Sequence, residues 1–212
     1  STGLASKLLR AIVSASGGVM IIALLLTMIC CIVLGMGVPT TATYCIMAAT
    51  CAPILMSPEI GVEMLAAHFF VFYFGIVADI TPPVALAAYA GAAIAKAGPM
   101  KTAFNASRLA IAAFIVPYII AMNPAMLFIN TTIQEVVMIT ITSIIGIFGV
   151  AAGLSGFVFR NMKWWERILC IVGGLTLLVP GSLTDLIGLV LVGAVCVLGY
   201  QAAKKEKEVL VV

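Results

Sequence analysis

Apolar residues fill this chain in long runs that only a few short polar or proline-containing segments interrupt. No charged residue lies between Ala11 and Pro58, and as one straight helix that run would be ~70 Å long against a hydrocarbon core of ~30 Å. The run must therefore turn back. The turn is predicted at 35–41, where two glycines and a proline interrupt helix, and it separates helical arms at 18–34 and 42–56.

A second apolar run extends over 64–95 and is interrupted only by His68 and Asp79. As a straight helix it would be ~48 Å long, which is again too long for one crossing. The paired prolines of Thr81-Pro82-Pro83 predict a break. Because proline has no backbone N–H, the break should release carbonyl groups about one turn upstream, near 77–79.

Four further apolar runs follow, at 108–122, 133–159, 165–179 and 183–200. The segment with Lys96, Lys101 and Arg108 is predicted to be a basic loop, and the run after it is expected to bend at Pro117. The GxxxG spacing of Gly149 and Gly153 predicts close contact between helices.

The composition settles the class of protein. Hydrophobic residues make up 64% of the chain, charged residues 9%, and the mean hydropathy is +1.26, far from the range of soluble proteins. The predicted fold class is an all-α integral membrane protein with a helical hairpin at 18–56, a discontinuous helix at 64–95 and about four further transmembrane spans. Because the chain opens with Ser1, we expect it to be part of a longer polypeptide.

Lysine and arginine predict the orientation in the membrane. They cluster at 96–108, 160–167 and 204–207, which places these segments in the cytoplasm, while 59–68 and 130–135 contain none and face outside. The second arm of the hairpin then opens toward the outer face.

The path of the first arm stays open at this level. Lys7 and Arg10, which precede it, lie inside if the arm crosses the membrane fully and outside if the hairpin is re-entrant. Their charge favours full crossing.

The two breaks are the candidate binding site. Freed carbonyl groups and hydroxyls suit a small hard cation such as sodium, and N–H groups at the start of a half-helix suit an anionic solute. An acidic residue inside an apolar run is costly and usually functional, although Asp79 could equally cap the turn at Thr81. The predicted sodium-site residues are Gly35, Gly37, Pro39, Thr40, Thr41, Asp79, Thr81 and Pro82, and the predicted solute contacts are Thr41, Thr43 and Pro83.

Enzymatic chemistry finds no support in the sequence. His68 and Asp79 are separated by ~16 Å along a helix, too far for a hydrogen-bonded catalytic pair, and no hydrolase, zinc-protease or P-loop motif is present. His68 is interpreted as an interfacial histidine with a hydrogen-bond partner. The six cysteines lie in apolar runs without CxxC spacing and are interpreted as small residues in helix contacts.

Several segments together resemble one family. They are Leu34-Gly-Met-Gly-Val-Pro-Thr-Thr-Ala42, Ala66-Ala-His-Phe-Phe-Val-Phe-Tyr-Phe74, Asp79-Ile-Thr-Pro-Pro-Val-Ala-Leu-Ala-Ala-Tyr89, Phe114-Ile-Val-Pro-Tyr118 and Asn123-Pro-Ala125. Residues 1–128 resemble the C-terminal half of tripartite ATP-independent periplasmic (TRAP) transporter permeases. The chain is most similar to the fused small-plus-large-subunit form that works with TAXI-type solute-binding proteins.

This resemblance implies a secondary transporter of the elevator type, built from two inverted repeats in a bacterial or archaeal cytoplasmic (inner) membrane. Residues 1–128 would be the second-repeat transport region, 129–203 a C-terminal transmembrane extension and 204–212 a cytoplasmic tail. The hairpin would be re-entrant with its tip at 35–41, facing the unwound segment at 79–83.

The implied function is import of small organic anions, such as carboxylates, with a sodium gradient and no other cofactor. The implied partners are a periplasmic TAXI-type binding protein and an N-terminal remainder of the permease that supplies the first repeat. The alternative is a structural or anchoring membrane subunit, in which the glycines and prolines serve helix packing and no ion site exists.

Overall fold

A computed structural model describes residues 3–129, 131–179 and 181–210, and within these ranges the regular elements are helices, as predicted. The helices are α1 (Leu4–Ser16), α2 (Met20–Gly35), α3 (Thr40–Thr50), α4 (Ala52–Leu55), α5 (Met64–Val77), α6 (Leu86–Ile94), α7 (Pro99–Leu109), α8 (Ile111–Met122), α9 (Ile133–Ser155), α10 (Trp164–Thr176) and α11 (Ser182–Leu210). Single 3₁₀ turns lie at Ala78–Ile80 and Pro124–Leu127. The chain divides into two compact units, and the division falls between Leu127 and Phe128.

Helix α5 is the centre of the first unit and packs against α2, α3 and α8. Phe70 and Phe74 are fully buried on it, with ring centroids 4.7 Å apart, and Tyr118 of α8 lies edge-on to both rings. Helix α2, and α3 together with α4, lie where the two hairpin arms were predicted. Helices α5 and α6, which are separated by the 3₁₀ turn and by 81–85, lie where the discontinuous helix was predicted.

The predicted basic loop is wrong in its larger part, because residues Pro99–Leu109 form helix α7. Proline is favoured at the first position of a helix, and Ala103 is fully buried where α7 packs on α6. The helix is short and amphipathic, so a search for long apolar runs does not detect it. The recorded bend of 43° lies between α7 and α8, at Ala110, whereas Pro117 lies inside α8.

Helix α9 packs closely on α10 through glycines in the second unit, which confirms the predicted contact. A Cβ atom added to Gly153 would lie 2.5 Å from Ile171 and 2.8 Å from the carbonyl oxygen of Arg167. One added to Gly174 of α10 would lie 2.6 Å from the carbonyl oxygen of Gly146. The absence of side chains is therefore what permits this approach of the two backbones.

The link between α9 and α10 explains why α9 ends at Ser155 and not at 159. Gly156 adopts a left-handed conformation (φ 73°), and Arg167 donates from Nε to the Gly153 carbonyl and from Nη2 to the Leu154 carbonyl, both at 3.0 Å. Arg160 pairs with the buried carboxylate of Glu166. These two arginines, which belong to the basic cluster at 160–167, are thus bonded within the protein.

Helix α11 continues to Leu210, although the last apolar run was predicted to end at Tyr200, before a cytoplasmic tail at 204–212. The residues beyond 200 are mostly alanine, lysine and glutamate, which are strong helix formers, so the helix extends past the end of the apolar run.

Two described helical segments are long and apolar enough to cross a membrane, Ile133–Ser155 and Leu183–Ala202, and the bent pair of α7 and α8 is a third candidate. Three other apolar helices have only 10–17 residues each: Met20–Gly35, Thr40–Leu55 and Met64–Ile80.

We predict that Gly174→Ala destabilises the second unit, because its Cβ would meet backbone atoms of α9. Overpacking of this kind costs about 1–3 kcal/mol. Thermal unfolding of the purified protein in detergent should show a lower midpoint. Gly193→Ala on α11 is the matched control, since nothing lies within 4 Å of its added Cβ. Equal midpoints for the two variants would contradict the packing described.

Candidate ion and solute site

The hairpin tip is the non-helical segment 36–39 between α2 and α3. Gly37 adopts a left-handed conformation (φ 74°), which a residue with a side chain rarely adopts. Thr43 fixes the tip from the next turn, because its Oγ1 donates to the carbonyl oxygen of Val38 at 3.1 Å and its N–H to that of Pro39 at 2.9 Å. The tip therefore has a defined turn.

Helix α3 begins at the tip with its first turn uncapped. Pro39 is the N-cap residue and has no side-chain acceptor for the N–H groups that follow. Thr40 and Thr41 are exposed at this helix start. Since first-turn N–H groups have no acceptor within their own helix, this end of α3 presents donors and a partial positive charge.

Three hydroxyl groups bond carbonyl oxygens around the second break. Thr81 Oγ1 donates to Val77 at 2.7 Å, Ser107 Oγ to Ile80 at 2.9 Å, and the Tyr89 hydroxyl to Pro83. Side-chain donors thus bond carbonyls around the broken helix. Of the carbonyls predicted to be released, that of Val77 accepts from a side chain, whereas that of Ala78 still accepts the N–H of Thr81.

The main-chain carbonyl of Asp79 differs from the neighbouring carbonyls because it has no possible N–H donor within the helix. Its donor would be the N–H of Pro82 in a 3₁₀ helix or of Pro83 in an α-helix, and neither residue has one. The Asp79 side chain is half-buried at the same turn. Both groups lie at the C-terminal end of α5, where the helix dipole favours a cation.

The structure brings the first break against the second. A Cβ atom on Gly35 would lie 3.0 Å from Cβ of Ala78 and 3.2 Å from the carbonyl oxygen of Gly75. A Cβ atom on Gly75 would lie 3.0 Å from Cγ2 of Thr43. The end of α2 and the start of α3 therefore pack directly on the last turn of α5.

The predicted site residues differ in exposure. Gly35 and Thr43 are buried in this contact, Asp79, Thr81 and Pro82 are half-buried, and Gly37, Pro39, Thr40, Thr41 and Pro83 are exposed. Because the Thr43 side chain is almost fully buried, its role in this structure is to order the tip. Its predicted contact with solute is not tested by this geometry.

Sequence reasoning missed three residues at the site: Gly75, Tyr89 and Ser107. Gly75 looked like an ordinary apolar helix position, and only the approach of α2 and α3 gives it its role. Ser107 was missed because α7 was predicted to be a loop. Tyr89 belongs to the segment that begins at Asp79, and its spacing from the prolines was the available signal.

His68 lies away from these breaks, and its predicted hydrogen-bond partner is confirmed. The hydroxyl of Tyr44 lies 3.1 Å from its Nδ1, beside an open apolar pocket that Leu65, Phe69 and Phe72 also line. In the part of the chain that the structure describes, no three His, Cys, Asp or Glu side chains are placed to hold a metal ion.

We predict that Gly35→Leu separates the tip from α5 and destabilises the first unit, because its side chain would meet Ala78 and the Gly75 backbone. The expected cost is about 1–3 kcal/mol, measured as a lower midpoint of thermal unfolding in detergent. Gly91→Leu on α6 is the control, since its Cβ would meet nothing within 4 Å. If Gly35→Leu unfolds at the same temperature as Gly91→Leu, the contact is absent.

Two protein-family models match this chain. Residues 1–135 match the family model described as the tripartite ATP-independent periplasmic transporter, DctM component. Residues 136–193 match a domain of unknown function, DUF3394. No curated protein and no solved structure matches the chain.

The DctM match covers more than half of the chain and includes both helix breaks. The family has a transport role, which implies a non-enzymatic function and a periplasmic solute-binding partner. With its apolar helices, it also implies a multi-pass membrane protein. The chain therefore belongs to the permease component, DctM, of the TRAP transporters.

Proposed function

We propose that this chain is part of a sodium-coupled importer of small organic anions, most simply carboxylates. The family supplies the transport role. The observation that carries the proposal is the direct packing of Gly35 and Thr43, at the hairpin tip, on Gly75 and Ala78, at the end of α5. Two helix breaks that meet in apolar surroundings concentrate polar backbone groups at one point.

The proposed sodium site is centred on the second break. The Asp79 carbonyl has no N–H donor within the helix. The Thr81 hydroxyl donates its hydrogen to the Val77 carbonyl, so the lone pairs of its oxygen are available to a cation. Carbonyl and hydroxyl oxygens suit sodium, and the Asp79 carboxylate adds negative charge. The first break supplies the other proposed members, namely Gly35, Gly37, Pro39, Thr40 and Thr41, and Pro82 shapes the turn.

The proposed solute site is at the start of α3. Exposed Thr41 and the uncapped first-turn N–H groups offer donors to a carboxylate, and the helix dipole favours an anion there. Pro83 is exposed at the facing break. In this arrangement the cation neutralises the charge of the anion, which gives a physical reason for coupled transport.

Helix lengths support a re-entrant hairpin. Helix α2 and the segment Thr40–Leu55 each have 16 residues and are about 24 Å long, less than the ~30 Å of a hydrocarbon core. We propose that they enter and leave on the outer face, within the second of two inverted repeats of an elevator transporter. The first repeat would lie in an N-terminal remainder of the permease.

The proposed partner is a periplasmic binding protein of the TAXI type, and the proposed location is a bacterial or archaeal cytoplasmic (inner) membrane. These finer assignments rest on the resemblance of the motifs at 34–42 and 79–89, and no described contact bears on them.

The alternative is a structural membrane subunit without an ion site. The bonds from Thr81, Tyr89 and Ser107 to carbonyls favour it, because they satisfy the breaks internally. The two functions can be distinguished experimentally. A transport site must be accessible to water and must respond to sodium, whereas a bend that serves packing is inaccessible to water.

We predict that Thr81→Val lowers sodium-driven uptake about tenfold or more, since loss of one ligand to a charged group costs about 1.5–3 kcal/mol. Gly37→Leu should lower uptake as well, because φ 74° strains a branched residue. The assay uses the complete permease in proteoliposomes with its binding protein and a panel of radiolabelled carboxylates.

Thr81→Ser keeps the hydroxyl and should retain uptake. Thr102→Val on α7 is the matched control, since it also removes a hydroxyl bonded to a carbonyl, that of Gly98. Uptake that needs no sodium gradient, or that is unchanged in both Thr81→Val and Gly37→Leu, would contradict the mechanism.

We further predict that positions 40 and 81 are accessible to water. Thr40→Cys and Thr81→Cys, in a permease without other cysteines, should react with a membrane-impermeant maleimide. Ala67→Cys, fully buried on α5, is the unreactive control. If positions 40 and 81 are as unreactive as position 67, the structural subunit is the correct interpretation.

A further inference from the structure

Thiol groups from the two arms of the hairpin lie close together. Cys30 and Cys31 lie in the second half of α2, and Cys51 lies where α3 passes into α4, eleven residues beyond Thr40 at the start of α3. The Sγ atoms of Cys30 and Cys51 are 3.8 Å apart, and Thr50 Oγ1 lies 3.6 Å from the Cys51 sulfur. The six cysteines were interpreted from the sequence as small residues in helix contacts, and these lie in such a contact.

The pair spans the tip. Segment 36–39, which contains Gly37, lies between Cys30 and Cys51 in the chain, as does Thr43 at the start of α3. A bond between the two sulfurs would therefore close a loop that contains the whole tip. Such a bond restrains the arms relative to each other, whether or not they move in the reduced protein.

Exposure separates the roles of the cysteines. Cys51 and Cys31 are fully buried, whereas the Cys30 side chain is partly exposed. A thiol reagent thus reaches Cys30 first. The sulfur of Cys51 lies 3.8 Å away and can then react with the modified Cys30. Cys45 is exposed on the outer side of α3, and no partner for it is found among the described residues.

We propose that Cys30 and Cys51 form a reversible disulfide that ties the hairpin arms together and slows transport when oxidised. The effect on transport rests on the proposed function of the tip, whereas formation of the bond does not. The site is a modification site, and its reactant is a low-molecular-weight disulfide.

The reaction balances as two exchange steps. The Cys30 thiolate attacks one sulfur of the reagent R–S–S–R, which forms a mixed disulfide and releases the first RS⁻. The Cys51 thiolate then attacks Cys30 Sγ and releases the second RS⁻. The reagent is reduced to two thiols that take up the two protons, and the cysteines are oxidised.

The geometry requires only a small approach. The two sulfurs must close from 3.8 Å to about 2.05 Å, which rotation of the cysteine side chains and slight movement of the arms can supply. Cys31 is adjacent to Cys30 and is the competing thiol.

The test treats the complete permease with dipyridyl disulfide, blocks the remaining thiols with N-ethylmaleimide and digests it with chymotrypsin. This protease cleaves after large apolar and aromatic residues such as Leu34 and Tyr44, between the two sites. Mass spectrometry should find a disulfide-linked peptide pair in the wild type and in the controls Cys31→Ser and Cys45→Ser. The pair should be absent from Cys30→Ser and from Cys51→Ala.

Uptake into proteoliposomes gives the second readout. Oxidation should reduce uptake in the wild type and in Cys45→Ser, dithiothreitol should restore it, and Cys30→Ser should be insensitive. No linked peptides, a link that persists in Cys30→Ser, or a link with unchanged uptake would each overturn the proposal. Sodium-independent uptake would refute the proposed function while the linked peptides would still report on the pair.

Discussion

Backbone carbonyl and N–H groups that lose their helical partners in apolar surroundings must find other polar partners, and the first unit is arranged around this requirement. Two helix breaks create such groups, one after α2 and one after α5. At the second break Thr81, Tyr89 and Ser107 supply three hydrogen bonds. The Asp79 carbonyl is the group whose helical donors are both replaced by proline. An ion is the partner that we propose for it.

Close packing of small residues brings the breaks together. Gly35 and Gly75 let α2 and α3 approach the last turn of α5, so the positive end of α3 and the negative end of α5 belong to one small region. Small residues also allow close packing in the second unit, where glycines let the backbones of α9 and α10 approach each other. Arg167 bonds a carbonyl at the end of α9, and Glu166 accepts the N–H of Lys163 at the start of α10.

The sequence predicted those parts of the fold that depend on run length and on proline. The apolar runs were too long for single helices, and Pro39 and Pro82-Pro83 showed where they must break. It did not predict α7, because a short amphipathic helix with five polar or basic residues resembles a loop. The roles of Gly75 and Ser107, and the meeting of Cys30 with Cys51, depend on contacts between segments distant in the chain. No local pattern records such contacts.

The most direct test of this account is binding of sodium to the purified permease, measured by isothermal titration calorimetry. Saturable binding is expected in the wild type and in Thr81→Ser, with loss of the binding signal in Thr81→Val while the protein remains folded. Sodium binding that is unchanged in folded Thr81→Val would contradict a site at the second break. The breaks would then serve helix packing alone.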